Sequence, residues 1–250
     1  MLEICIDGVA SACAAAEGGA DRVELCANLP EGGTTPSAGM IRSVRRVFSG
    51  RLMVIIRPRG YDFLFSEGEH AAMLHDIETA RALGVDGVVI GCLTADGRVD
   101  RDRVSQLIDA AGELELTFHR AFDMTRDLDE ALEDISALGI RRVLTSGGQA
   151  DVPSGQTRIA ELVRSSAGRI SIMPGGGVTE LNLAEIVAAT GVREIHLSAR
   201  DAVCSGMRHR NEGCAMGAYS QGHEYEWREA SVVKIRAARM ALAQALAKIK

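Results

Sequence analysis

Residues 66–92 read SEGEHAAMLHDIETARALGVDGVVIGC. Ser66 with Glu69 has capping-box spacing, which marks a helix start. Apolar residues then recur with helical periodicity at Ala71, Leu74, Ile77, Ala80 and Ala82, so a helix is expected over 67–83. Gly84 follows the last turn, where glycine takes the left-handed conformation that ends a helix. Val85 leads into Gly87–Ile90, a short run that is apolar throughout rather than at alternate residues. A strand apolar on both faces belongs in a parallel sheet covered by helices.

The same junction recurs at Leu138-Gly139 and Thr190-Gly191. Strand candidates are Leu2–Ile6, Arg22–Leu25, Leu52–Ile56, Gly87–Ile90, Leu114–Phe118, Arg142–Thr145, Arg169–Met173 and Glu194–Leu197. Helix candidates lie near 9–18, 37–48, 67–83, 101–111, 127–138, 155–166, 180–189 and 229–248. Eight strand–helix units in 250 residues match the closed β/α barrel in count and length. An open doubly wound sheet is the alternative. Its dinucleotide fingerprint is missing after the first strand, which continues Asp7-Gly8-Val9-Ala10-Ser11-Ala12. The fold class read here is therefore α/β, a single-domain TIM (β/α)8 barrel over 1–250, with no organic cofactor expected. A long irregular loop, about 201–226, precedes the last helix.

Composition narrows the function classes. The chain is 46% hydrophobic, 25% charged and carries a net charge of −6. Such a chain is neither disordered nor a good non-specific nucleic-acid binder, which needs cations to neutralise phosphates. No apolar run reaches the ~18 residues of a membrane span. The six cysteines form no Cys-x-x-Cys pair and follow no secretory leader, so reduced thiols and a cytoplasmic location are expected. Glycine is in excess, at 27 residues.

In a β/α barrel the reactive groups lie at the carboxyl ends of the strands. Glu3, Glu24 and His119 fall inside apolar strands, where an unpaired charge costs several kcal/mol, on the order of what a whole domain has to spare. One account is a structural ion pair, Glu3 or Glu24 with Arg57. The other is convergence on a ligand, with Glu24 and His119 as candidate catalytic groups for proton transfer. Arg57 and Arg59 follow the third strand, Gly175, Gly176 and Gly177 the seventh, and Ser198 and Arg200 the eighth. These are the candidate anion-binding residues, because barrels often bind phosphate or carboxylate there through backbone N–H groups. Cys5 and Cys26 end neighbouring strands on the parity of the buried acids. They suit core packing, a soft metal ion such as Cu(I), or a catalytic Cys–His pair with His119 as base. Cys13 sits among alanines and reads as packing. His70 and His75 lie about 140° apart on their helix, so they form no metal face. Cys204, His209, Cys214 and His223 are too irregularly spaced for a zinc finger.

The sequence is similar to the CutC copper homeostasis protein family. The resemblance is carried by Ala20-Asp21-Arg22-Val23-Glu24-Leu25-Cys26 with Glu31-Gly32-Gly33-Thr34-Thr35-Pro36-Ser37, and by Ile56-Arg57-Pro58-Arg59-Gly60 with Asp62-Phe63. Thr117-Phe118-His119-Arg120-Ala121-Phe122-Asp123, Arg142 to Gly148, Ile172 to Gly177, Ser198-Ala199-Arg200 and Arg210-Asn211 continue it. It implies a cytoplasmic β/α barrel, a homodimer or higher homo-oligomer, with copper held by two thiols that fall on Cys5 and Cys26. The expected partner is thus a copper ion or, in the alternative reading of a barrel enzyme, a small anionic and perhaps phosphorylated metabolite. Cys204, Cys214 and His223 lie outside the family's pattern.

Overall fold

The computed structural model describes residues 1–216 and 223–248. Eight parallel strands alternate with helices: β1 (Leu2–Ile6), β2 (Arg22–Leu25), β3 (Arg51–Ile55), β4 (Gly87–Ile90), β5 (Glu115–Phe118), β6 (Arg142–Thr145), β7 (Ser171–Pro174) and β8 (Ile195–Leu197). The helices are α1 (Val9–Gly18), α2 (Ala38–Val47), α3 (Glu67–Ala82), α4 (Arg101–Ala111), α5 (Leu128–Ala137), α6 (Val152–Ser166), α7 (Leu183–Thr190) and α8 (Val232–Lys248). The hydrogen-bonded order runs β7-β6-β5-β4-β3-β2-β1-β8, and β7 also lies against β8. The sheet therefore closes on itself, nearly completely, as the TIM barrel expected from the strand count.

The helix boundaries follow local chemistry. The Ser66–Glu69 capping box opens α3, and Gly84, Gly139 and Gly191 each take positive φ after a helix. α6 starts three residues earlier than its periodicity predicts, because Asp151 accepts from the Ser154 N–H and Pro153 occupies the first turn. α6 also packs closely on the exit of β6. A Cβ at Gly155 would lie 1.9 Å from the Ser146 carbonyl oxygen, so only glycine fits there.

The predicted loop over 201–226 is partly regular. Arg200–Cys204 (β9) pairs antiparallel with Glu226–Ala230 (β10), setting Val203 opposite Trp227. Most of this ribbon is exposed on both faces, so its residues carry no hydrophobic period to betray a strand. Part of that loop, 217–222, lies outside the described residues.

Two apolar regions result. The main core fills the space between strands and helices, through residues such as Ile4, Val23, Val54, Ile77 and Ile159. A second, small cluster sits inside the barrel: Cys5, Cys26, Met53, Ile55 and Val89. Much of the rest of the barrel interior is polar. Strand register explains this, since Glu3 lies opposite Arg22 on β2 and opposite His196 on β8, and Cys5 lies opposite Glu24. Glu3 and Cys5 share one parity of β1, and their partners share the same inward face.

Candidate functional site

The inward residues form two levels. At the lower level Arg22 is fully buried. Its Nε donates to Glu3, its Nη2 to Glu194 Oε2 at 2.6 Å and to the Met173 sulfur at 3.1 Å. Arg142 Nε reaches the same Glu194 oxygen at 2.8 Å. The expected pairing of Glu3 or Glu24 with Arg57 is therefore not the one formed. The nearest cation to Glu3 along the ladder is on the adjacent strand, at its own register.

The upper level is the candidate site. A cavity of about 100 Å³ is lined by Cys5, Glu24, Cys26, Arg57, His119 and His196, with Arg120, Phe63 and Leu144 completing the wall. The Cys5 and Cys26 sulfurs are 3.9 Å apart. His196 Nδ1 meets Glu3 Oε1 at 2.7 Å, and its Nε2 lies 3.6 Å from Glu24 Oε2. Cys5 Sγ, a Glu24 oxygen and a His196 nitrogen all lie within 4.8 Å of one another, the one such cluster of metal-ligating groups among the described residues.

Burial and these contacts set the charge states. Burial alone raises the Glu3 carboxyl, but Arg22 and the His196 hydrogen bond outweigh it and pull Glu3 down to about 2. Burial likewise disfavours a charged His196, yet its bonds to Cys5 and Glu3 and the nearby Glu24 carboxyl hold it protonated. The Cys26 hydrogen bond lowers Cys5 to about 5 against burial, with His196 assisting. That same bond pushes Cys26 upward. Glu24 rises to about 8 because burial dominates over the pull of His196. The result is a Cys5 thiolate facing an imidazolium, beside a thiol and a neutral carboxylic acid.

His119 behaves otherwise than as a base. Burial first, then the Arg57 charge, lowers it to about 3. Its Nδ1 accepts the Ala121 N–H at 3.2 Å, so the ring proton of the neutral form sits on Nε2. That buried atom has no partner in the protein. The ring lies over Gly91, where a Cβ would come 2.5 Å from its Cε1, which fixes glycine at that strand exit. The histidine that approaches Cys5 is His196, with a ring nitrogen within 4.8 Å of Cys5 Sγ.

The other candidates divide by position. Arg57 Nη1 donates to the carbonyls of Glu31 and Gly33, both at 2.9 Å, and Nη2 to that of Tyr61 at 2.8 Å. Its guanidinium braces the loop after β2 while it walls the cavity. Arg59 points away, pairing with Glu69 at 2.6 Å and Asp62 at 2.9 Å. Gly175 packs beneath Leu144 and His196, Gly176 under Arg120, and Gly177 against Asp151. Ser198 is exposed, and Arg200 pairs with Asp7 at 2.6 Å on the ribbon side. The structure thus unites Cys5, Glu24, Cys26, Arg57 and His119, and leaves Arg59, Gly175, Gly176, Gly177, Ser198 and Arg200 outside the cavity wall. Cys204, Cys214, His209 and His223 are exposed. His70 is buried and bonded to Gln106 at 3.0 Å.

Sequence reasoning missed His196 and Arg120. His196 carried the signal that picked out Glu3 and Glu24, a polar residue between two apolar ones in a strand. Its weight comes from facing Glu3 across the β1–β8 ladder, and only barrel closure joins the first strand to the last.

Comparison with known proteins bears on the family and the fold. The CutC family model matches residues 1–201. A family protein CutC of Chromobacterium violaceum is 51% identical over 98% of this chain and 99% of its own length. The copper homeostasis protein cutC homolog of Homo sapiens is 45% identical over 94% of this chain and 86% of its own. Among solved structures, a copper homeostasis protein CutC from Streptococcus agalactiae superposes with a TM-score of 0.76 at 35% identity, covering 79% of this chain and 98% of that one. The thiamine phosphate pyrophosphorylase of Pyrococcus furiosus matches at a TM-score of 0.61 and 17% identity, over 98% of this chain and 96% of that one, which concerns the barrel fold alone. Family model and near-full-length relatives agree: the chain belongs to the CutC family.

Proposed function

We propose that the protein binds copper(I) at the barrel mouth through Cys5 and Cys26, with His196 or Glu24 available as a further donor. The observation that carries this reading is the 3.9 Å separation of the two buried sulfurs beside the Glu24–His196 cluster. Two metal–sulfur bonds of about 2.3 Å span that distance at an angle between tetrahedral and linear. Two thiolates with an imidazole are the soft donor set that copper(I) prefers. Binding would release the protons of Cys26 and His196, so affinity rises with pH over the neutral range. The names of the relatives, which speak of copper homeostasis, support the same reading. It requires both thiols reduced and hence a reducing compartment, the cytoplasm. No helix among the described residues is long and apolar enough to cross a membrane.

Anaerobic competition titration with a chromogenic copper(I) chelator tests the site. The wild type is expected to take one copper per chain, and Cys5→Ser/Cys26→Ser to bind at least about a hundredfold more weakly, since the soft donors are gone. Equal affinity for the two proteins would remove the thiol site.

A second reading is supported by Arg57, Arg120 and the unpartnered His119 Nε2–H around the same cavity, since cations do not help to hold a metal ion. Here the mouth receives a small anionic metabolite. A ligand at 100 times Kd adds about 2.7 kcal/mol, so a thermal-shift screen of small carboxylates and phosphates is expected to show a stabilising anion that Arg120→Ala no longer responds to. An absence of any shift at millimolar concentrations would count against it.

A further inference from the structure

Neither reading uses the way Glu3, His196 and Cys5 are joined. Glu3 Oε1 holds His196 Nδ1 at 2.7 Å, which leaves Nε2 turned to Glu24 Oε2 at 3.6 Å, and Cys5 Sγ lies within 4.8 Å of a His196 nitrogen. The carboxylate is itself fixed by the fully buried Arg22. A nucleophile, a base and a group that orients the base are the parts of a hydrolytic triad, recognised by geometry and not by chain order. Here they come from β1 and β8, at the carboxyl end of the barrel where barrel enzymes react. Cys5 is 8% exposed and lines the cavity, so a small molecule can reach it. Across the same cavity stands the N–H of His119, buried and without an acceptor. An unmet buried donor costs about 1–3 kcal/mol, and an oxygen that develops negative charge would satisfy it.

We propose that Cys5, His196 and Glu3 form a catalytic triad that cleaves short-chain acyl esters or thioesters through an acyl-Cys5 intermediate, with His119 donating to the oxyanion. The cavity is small, about 100 Å³, which favours short acyl groups, and acetyl is the probe used below.

The electron and proton balance is that of acyl transfer to water. His196 Nε2 takes the Cys5 thiol proton as the sulfur attacks. The sulfur lone pair bonds the acyl carbon, and the carbonyl π pair moves to oxygen, opposite His119 Nε2–H. That pair returns as the bond to the leaving alkoxide or thiolate breaks, and His196 Nε2 delivers its proton to the leaving group. Water then attacks the acyl-Cys5 carbon and gives a proton to Nε2, the carbon–sulfur bond breaks, and the carboxylic acid departs. Ester and water are consumed, acid and alcohol are released, and nothing is oxidised. Glu3 is a positioning residue, since it touches only His196 and Arg22. The reaction needs the Cys5 sulfur free, so it requires no copper and is excluded while copper occupies the site.

The test uses the full chain, reduced and copper-free, with p-nitrophenyl acetate as probe. Acid quench followed by peptide mass spectrometry is expected to place one acetyl group on Cys5. Steady-state nitrophenolate release is expected to fall at least about a hundredfold in Cys5→Ser and in His196→Gln, the range lost with a nucleophile or a general acid–base. His119→Ala is expected to lose about 10²–10³-fold, as for one oxyanion donor. His196→Ala should regain activity with added imidazole, which a merely structural histidine would not allow. Circular dichroism reports whether each variant folds. If none does, acetylation of wild-type Cys5 faster than that of free cysteine still supports the triad. Acetyl groups only on the exposed Cys13, Cys204 or Cys214, or release unchanged in a folded Cys5→Ser or His196→Gln, overturns it. Loss of copper binding with ester cleavage intact, or the reverse, separates this activity from the metal site.

Discussion

Arg22→Met is expected to destabilise the protein by about 3–5 kcal/mol, the cost of breaking a buried ion pair from one side. Methionine restores much of the volume, so the loss comes from charge. Arg22 is fully buried and bridges Glu3 to Glu194. Glu194 keeps Arg142. Glu3 keeps only His196, and burial then works against a carboxylate whose low value rests largely on Arg22. In a chain of this length such a loss lowers Tm by roughly 10 °C. Urea unfolding at pH 7 measures it, and a loss below 1 kcal/mol would mean that Glu3 is neutralised or solvated in some other way. The double variant Arg22→Met/Glu3→Gln decides the cause. It should recover at least half of the loss, because the stranded charge is gone. The same variants carry a second message. Arg22 lies beneath the cavity and touches none of its lining groups except through Glu3, so its effect on His196 is one of orientation.

The barrel and the residues of its mouth were differently legible. Strand positions could be read because a strand buried on both faces is apolar throughout, as in Gly87–Ile90. Helix ends could be read because glycine and the Ser66–Glu69 box leave local marks. β9 and β10 could not, since an exposed ribbon has no apolar period. At the site, Cys5, Glu24 and Cys26 were visible as reactive residues on one parity of neighbouring strands, and adjacent strands meet. Arg59 and Arg200 were read as mouth residues from their place after a strand, yet each turned to a nearer acid, Glu69 and Asp7. Distance along the chain says where a side chain starts and not where its flexible end finds a partner. His196 shows the opposite limit. Its partner Glu3 is 193 residues away, and only closure of the sheet makes them neighbours.

Glu24→Gln is expected to gain stability relative to the wild type as pH rises from 4.5 to 8. Two carboxylic acids face the same barrel interior with opposite fates. Glu3 is drawn down to about 2, mainly against burial by Arg22 and His196, whereas Glu24 is raised to about 8 by burial. The signs differ accordingly. A lowered acid contributes stability that is present above its unfolded value and lost as pH falls through the folded one, so Glu3 governs the acid limb, below about pH 4.5. A raised acid keeps its proton in the folded state while the unfolded chain releases it. The folded state then binds more protons, and stability falls between the two values. The span from 4.5 to about 8 corresponds to a loss on the order of 4 kcal/mol. Glutamine cannot ionise and avoids it. Cys5, lowered to about 5, works in the other direction as pH rises, and it does so in both proteins. Urea unfolding of the reduced, copper-free pair at pH 4.5 and pH 8 is the measurement. A variant-minus-wild-type difference that is the same at both values would show that Glu24 is ionised in the folded protein. The mouth would then hold two negative charges beside His196, which strengthens a metal site and weakens an anion site. The same experiment therefore also weighs the two readings of the cavity.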